Sequence, residues 1–138
     1  MHASKFDSKH SQSALGKQWT VEFHNEFAME VRHLSEAVRE KLKAAAIILG
    51  EDGPQLGRPQ ADTLKGSRHA NMKELRFDAD GGAWRVAYAF DPDRKAILLV
   101  GGDKSGIGKA RFYHNLLRVA DERFAQHLQN LSLKRKSK

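Results

Sequence analysis

The chain has 138 residues, 40% of them hydrophobic, which suffices for one modest core and not for two. Lys and Arg total 24 against 17 Asp and Glu, a formal net charge of +7 that favours a polyanionic partner without choosing among nucleic acid, an anionic membrane surface and an acidic protein. The lack of cysteine excludes disulfides and thiolate metal sites, and the longest apolar run, Ala44 to Leu49, falls far short of the ~20 residues of a membrane span.

Residues 1–17 are rich in Ser, Lys and His, hold no apolar run that would form a signal-peptide core, and read as a flexible arm outside the fold. The cytoplasm is the expected compartment. A first strand follows over 18–23, where Trp19, Val21 and Phe23 alternate with polar residues. From Asn25, read as an N-cap, Phe27, Val31, Leu34, Val38, Leu42, Ala45 and Leu49 recur at steps of three and four and are closed by Gly50. Ser35 is a second capping residue, so this stretch is one long helix or a two-helix hairpin. Residues 50–71 read as a long loop. Three strands over 72–77, 84–90 and 96–100 are joined by links short enough for hairpins, and a final helix begins near Ala110. The expected fold is α+β: an antiparallel-dominated four-stranded sheet packed against the N-terminal helix or hairpin and a C-terminal helix. One domain spans 18–131, and 132–138 form a basic tail, either a solvated helix end or a contact to phosphates.

The chemistry is sought first on the middle strand of the three. Trp84, Val86, Tyr88 and Phe90 take one face, while Arg85 stands among Ala87 and Ala89 on the other, as a cation on a shallow cleft floor. On the preceding strand Glu74 and Arg76 share a face, which puts Arg76 and Arg85 together on the expected open side. The glycine-rich segment 101–109 fails as a nucleotide-binding loop, because Asp103 stands where a glycine is needed and Ala110 where Ser or Thr is needed. Its backbone amides with Lys104 and Lys109 still favour an anion. Tyr113, close to Lys109 and Arg111, becomes a usable base if those cations favour its phenolate. Of the 7 histidines none shows metal-ligand spacing, and only His69 is placed to reach a strand-face cleft. No metal and no cofactor are expected.

These residues carry a family resemblance. Leu56-Gly57-Arg58-Pro59, Asp62-Thr63-Leu64-Lys65-Gly66, Lys73-Glu74-Leu75-Arg76, Trp84 through Pro92 and Ile97 through Lys104 resemble, in order, the phage-derived HigB-like branch of the RelE/ParE toxin superfamily. The likeness covers about residues 18–131. It implies a compact RelE-like sandwich and a toxin of a type II toxin–antitoxin pair, blocked by a cognate helix-turn-helix antitoxin. It further implies an endoribonuclease that cuts mRNA on the ribosome through the substrate's own 2′-hydroxyl, with no metal. Arg85 then matches the arginine that clamps the phosphate, and Tyr113 the tyrosine that acts as base or stacks on a nucleobase. Arg76 and Lys73 match basic residues of the preceding strand, and Lys104 and Arg111 fall where another cation is supplied. RNA contacts are expected from Lys73, Lys109, Arg111 and His69. The chain departs from the family in Phe112, where relatives carry Trp, and in the linker 105–109, which leaves Lys109 and Arg111 as alternatives in the alignment. Two other readings remain open: a ParE-like toxin that inhibits gyrase without nuclease chemistry, and a noncatalytic RNA-binding regulatory module.

Overall fold

The computed structural model describes residues 18–136, so the expected N-terminal arm and the last two residues of the tail lie outside the described residues. In chain order the elements are β1 (Thr20–Phe23), α1 (Asn25–Val31), α2 (Glu36–Asp52), a 3-10 turn (Gly53–Gln55), β2 (Ala61–Thr63), β3 (Lys73–Ala79), β4 (Gly82–Phe90), β5 (Lys95–Asp103) and α3 (Lys109–Lys136). One mixed sheet, ordered β1-β5-β4-β3-β2, is antiparallel except where β1 runs parallel to β5. The α+β class stands as expected, with five strands in place of four. β2 was hidden in the expected loop because three residues carry no alternation. It exists through its pairing of Ala61, Asp62 and Thr63 with Leu75, Glu74 and Lys73.

The apolar stripe from Phe27 to Leu49 resolves into the hairpin. Ser35 Oγ accepts the Val38 amide at 3.2 Å and starts α2. The cap of α1 falls one residue earlier than expected: His24 Nδ1 accepts the Glu26 amide at 3.1 Å, and Asn25 is already helical. Gly50 does not close α2 but lies inside it, against the Trp19 carbonyl, where an added Cβ would approach to 3.2 Å. Closure falls to Gly53, whose φ of 64° and contact with the Trp19 indole exclude a side chain.

The sheet divides two cores. Val86 and Tyr88 of β4 turn toward α1 and α2 and pack with Phe27, Leu42, Leu49, Leu75 and Leu98. Ala87 and Ala89 turn the other way and are buried under Leu116, Ala120 and Phe124 of α3. The face expected to be open is therefore covered. Small side chains between two larger layers allow close approach of a helix, and α3 uses them as its seat rather than leaving a cleft. A β-bulge at Ala87/Tyr88 moves the β5 pairing from Val100 to Leu98, so Leu99 and Val100 both face the α3 core.

Beyond the end of β1, Arg123 of α3 donates to the Leu99 carbonyl at 2.8 Å and to the two Glu30 oxygens at 2.9 and 2.5 Å, tying α3 to α1. The expected tail is helical to Lys136. Lys134, Arg135 and Lys136 form the last turn, where positive charge opposes the negative end of the helix dipole. Among the described residues no helix is long and apolar enough to cross a membrane.

Tyr88 is fully buried, and its hydroxyl has no hydrogen-bond partner among the described residues. Burial alone pushes its phenol far above the ordinary tyrosine range. Removing an unsatisfied buried hydroxyl relieves its desolvation cost, so Tyr88→Phe is expected to raise unfolding stability by about 1 kcal/mol in denaturant titration.

Candidate active site

Cross-strand register sets the site. Arg76 of β3 and Arg85 of β4 are direct partners, and Glu74 lies opposite Ala87, so all three side chains belong to the face that α3 covers. The first turns of α3 bring Tyr113 onto the same face. Buried Phe112 anchors this end of the helix, packing among the α3-side residues.

Glu74 is the centre of the cluster and is 3% exposed. Its Oε1 accepts the Tyr113 hydroxyl at 2.9 Å, and its Oε2 accepts Arg76 Nη1 at 2.7 Å. Beside them Arg85 is 6% exposed; its Nη1 donates to the Trp84 carbonyl at 2.9 Å, while its Nε has no hydrogen-bond partner among the described residues. A buried guanidinium with a donor left over is costly unless an acceptor completes it, and a phosphate is the acceptor its planar fork fits best.

The tyrosine differs from its sequence-based expectation. Its phenol is raised above the ordinary value, first by burial and then by the hydrogen bond to Glu74 and the charge of Glu74, while Arg85 pulls the other way. Nearby cations thus do not produce a standing phenolate. The Tyr113 proton sits on a hydrogen bond to a carboxylate, an arrangement suited to passing a proton rather than storing a negative charge. Glu74 is the member of this cluster that the sequence reading left off the site. The signal was present, as a carboxylate sharing the face of Arg76 on the same strand, but its partner comes from 39 positions further along the chain.

The remaining candidates separate. Lys73 alternates to the opposite face, where its Nζ donates to the Pro54 carbonyl at 3.0 Å; it does not join Arg85. His69 also lies apart, with its amide on Ser67 Oγ at 2.9 Å and its ring edge-on to Phe124 at 5.0 Å, three turns along α3 from Tyr113. The Lys104 amide donates to the Ala83 carbonyl at 2.8 Å, which holds this lysine beside the start of β4, two residues from Arg85. Lys109 and Arg111 are exposed at the N-terminal end of α3. The amides expected to hold an anion in the 101–109 segment are partly taken up by the chain itself. Asp103 Oδ1 accepts the Ser105 amide at 2.8 Å and the Ala83 amide at 3.0 Å. Those bonds, the Ser105 amide foremost, hold the Asp103 carboxyl below its usual range.

With this geometry in view, the sequence pattern of the family described as Phage derived protein Gp49-like (DUF891) matches residues 29–125, a stretch that contains every member of the cluster. The chain belongs to the Gp49-like family. Among proteins similar to this Gp49-like chain is a Mycobacterium tuberculosis protein named as toxin HigB2, 42% identical over 111 residues that make up 80% of this chain and 54% of that protein. A second, named as toxin HigB3 from the same organism, is 50% identical over 76 residues, 55% of this chain and 64% of that one. The chain thus spans about half the length of the first of these relatives and just under two thirds of the second. In fold it resembles a mutant of Escherichia coli toxin RelE in the free state, with a TM-score of 0.53 over 72% of this chain and 94% of that one at 17% identity. The Gp49-like chain is RelE-like in fold and HigB-like in sequence.

Proposed function

We propose that this chain is the toxin of a type II toxin–antitoxin pair and that it cuts mRNA on the ribosome, using the substrate's own 2′-hydroxyl and no metal. The observation that carries the reading is the buried Arg85 guanidinium, with an unused donor, beside a Tyr113 hydroxyl already hydrogen-bonded to Glu74. In this scheme the scissile phosphate accepts the unused Nε donor of Arg85, which stabilises the charge that grows on its oxygens. The 2′-hydroxyl gives its proton to the Tyr113 oxygen as Tyr113 passes its own to Glu74. The freed 2′-oxygen bonds to phosphorus, the bond to the 5′-oxygen of the next nucleotide breaks, and a 2′,3′-cyclic phosphate and a 5′-hydroxyl result. Arg76, bonded to the other Glu74 oxygen, holds the carboxylate in place to receive that proton. Lys104, Lys109 and Arg111 supply candidate donors to the departing oxygen and contacts to flanking phosphates. The toxin names of the relatives support an antitoxin as partner, and the family resemblance implies that it is a helix-turn-helix protein that blocks the toxin.

Mapping of mRNA 5′ ends after brief induction tests the proposal. New ends inside translated frames, which disappear when translation is blocked, are the expected result. Growth arrest with intact mRNA and impaired DNA supercoiling would replace it with the gyrase-inhibitor reading.

A further inference from the structure

A cavity of about 580 Å³ opens on the α3 side of the sheet, at the far end from Tyr113. Ala89, Phe90, Phe124 and Leu128 form its apolar walls, and Arg68, His69 and Asn71, from the segment between β2 and β3, stand at its rim. That segment is clamped to α3: Ser67 Oγ donates to Asp121 Oδ1 at 2.5 Å, and the Arg68 amide donates to Oδ2 at 3.1 Å. The one carboxylate on its wall, Asp91, is already taken up by the Asp93 and Lys95 amides and by His127.

We propose that this cavity is a nucleobase subsite for the RNA strand whose scissile phosphate lies at Arg85, an inference that rests on the nuclease reading above. Its distance from the chemistry can be measured along two elements. Ala89 lies four residues beyond Arg85 on β4, roughly 13 Å along a strand. Phe124 lies eleven residues beyond Tyr113 on α3, about 16 Å along a helix. Both spans put the cavity within a few nucleotides of the cut on a single strand. Exposed cations accompany this stretch, with Arg118 on α3 between Tyr113 and Phe124 and Lys65 and Arg68 on the segment between β2 and β3. The lining suits a base: apolar and aromatic walls, with the His69 ring held against Phe124, accept a flat ring, and the Asn71 amide and Arg68 guanidinium can hydrogen-bond its edge. Another cavity, also about 580 Å³, between β1, α1 and the end of α3, carries Glu22 and Glu26 against Lys134 and suits a polyanion less well.

The direct test needs neither ribosomes nor cleavage. Amide resonances of the full chain are followed during titration with each of the four nucleoside 5′-monophosphates at millimolar concentration. Shifts at Asn71, Ala89 and Leu128 are expected for at least one of them. Leu128→Trp, which fills the cavity, should remove those shifts, and Asn71→Ala should weaken the affinity roughly tenfold. No shift at these positions with any of the four overturns the subsite, and so do shifts confined to Arg111–His114, which would report phosphate held at Arg85 alone. In cells, the sequence preference a few nucleotides from the cut should flatten in Asn71→Ala; an unchanged profile overturns its role in choosing the site. A wild-type chain that leaves mRNA intact yet shows the Asn71 and Ala89 shifts would sink the nuclease reading and not the pocket.

Discussion

Arg85→Met is expected to abolish growth arrest while leaving the chain folded and at least as stable as the parent. The buried guanidinium donates to the Trp84 carbonyl and adjoins the Tyr113 hydroxyl, but its Nε has no partner among the described residues, so it is an incompletely compensated charge. Replacing such a group by an apolar side chain of similar length is commonly neutral or stabilising, and here a gain of about 1 kcal/mol is expected. The same change removes the fork that faces the phosphate, and loss of one preorganised transition-state donor costs about 10²–10³ in rate. Arg85→Lys should fail almost as badly, because an ammonium cannot present two parallel donors. Growth curves, mRNA end mapping and thermal unfolding read the three quantities separately. A folded Arg85→Met chain with full toxicity would mean that the reaction occurs elsewhere.

The second large effect is expected from Glu74→Gln. The chain has only two tyrosines, Tyr88 and Tyr113, so in a Tyr88→Phe background the phenolate absorbance reports Tyr113 alone. Glu74 raises the Tyr113 phenol both by accepting its proton and by its charge, while Arg85 opposes it. Glutamine keeps an acceptor and deletes the charge, so the Tyr113 titration should move down toward the ordinary value near ~10. Stability gives the same sign. A phenol raised in the folded state binds its proton more tightly there than when unfolded. Its contribution is therefore complete below the unfolded value and fades as pH rises from about 10 through the folded value. Glu74→Gln should shrink that alkaline loss. If Glu74 is the terminal proton acceptor, cleavage falls by about 10²–10⁴, and Tyr113→Phe matches it. Parental cleavage in Glu74→Gln, with the phenol shifted as expected, would reduce Glu74 to a partner that only holds Tyr113 in place.

The relation between these two sites explains the layout of the fold. Arg85 and Glu74 are polar groups on a strand face that elsewhere carries Ala87 and Ala89 beneath a helix. They are tolerated there because α3 begins at that end of the sheet, and Tyr113, Arg76 and the Trp84 carbonyl supply partners within hydrogen-bond reach. The cluster is dry enough to strengthen each interaction and lies beside the first turns of α3.

By itself, the sequence determined the alternation of β4, the shared face of Arg76 and Arg85, the helical stripe with Ser35 as a cap, and the order of the elements. Each is a local property, set by periods of two or 3.6 residues and by side chains that cap within three positions. The motifs from Leu56 to Lys104 also carried the family, which the match over residues 29–125 bears out. What only the tertiary structure decided was which face is covered, because an Arg–Ala alternation reads the same under a helix as under water. It likewise decided that Lys73 leaves the site, that Ala61–Thr63 becomes a strand, and that Glu74 meets Tyr113. These outcomes depend on pairings between residues distant in the chain, and no local period encodes them.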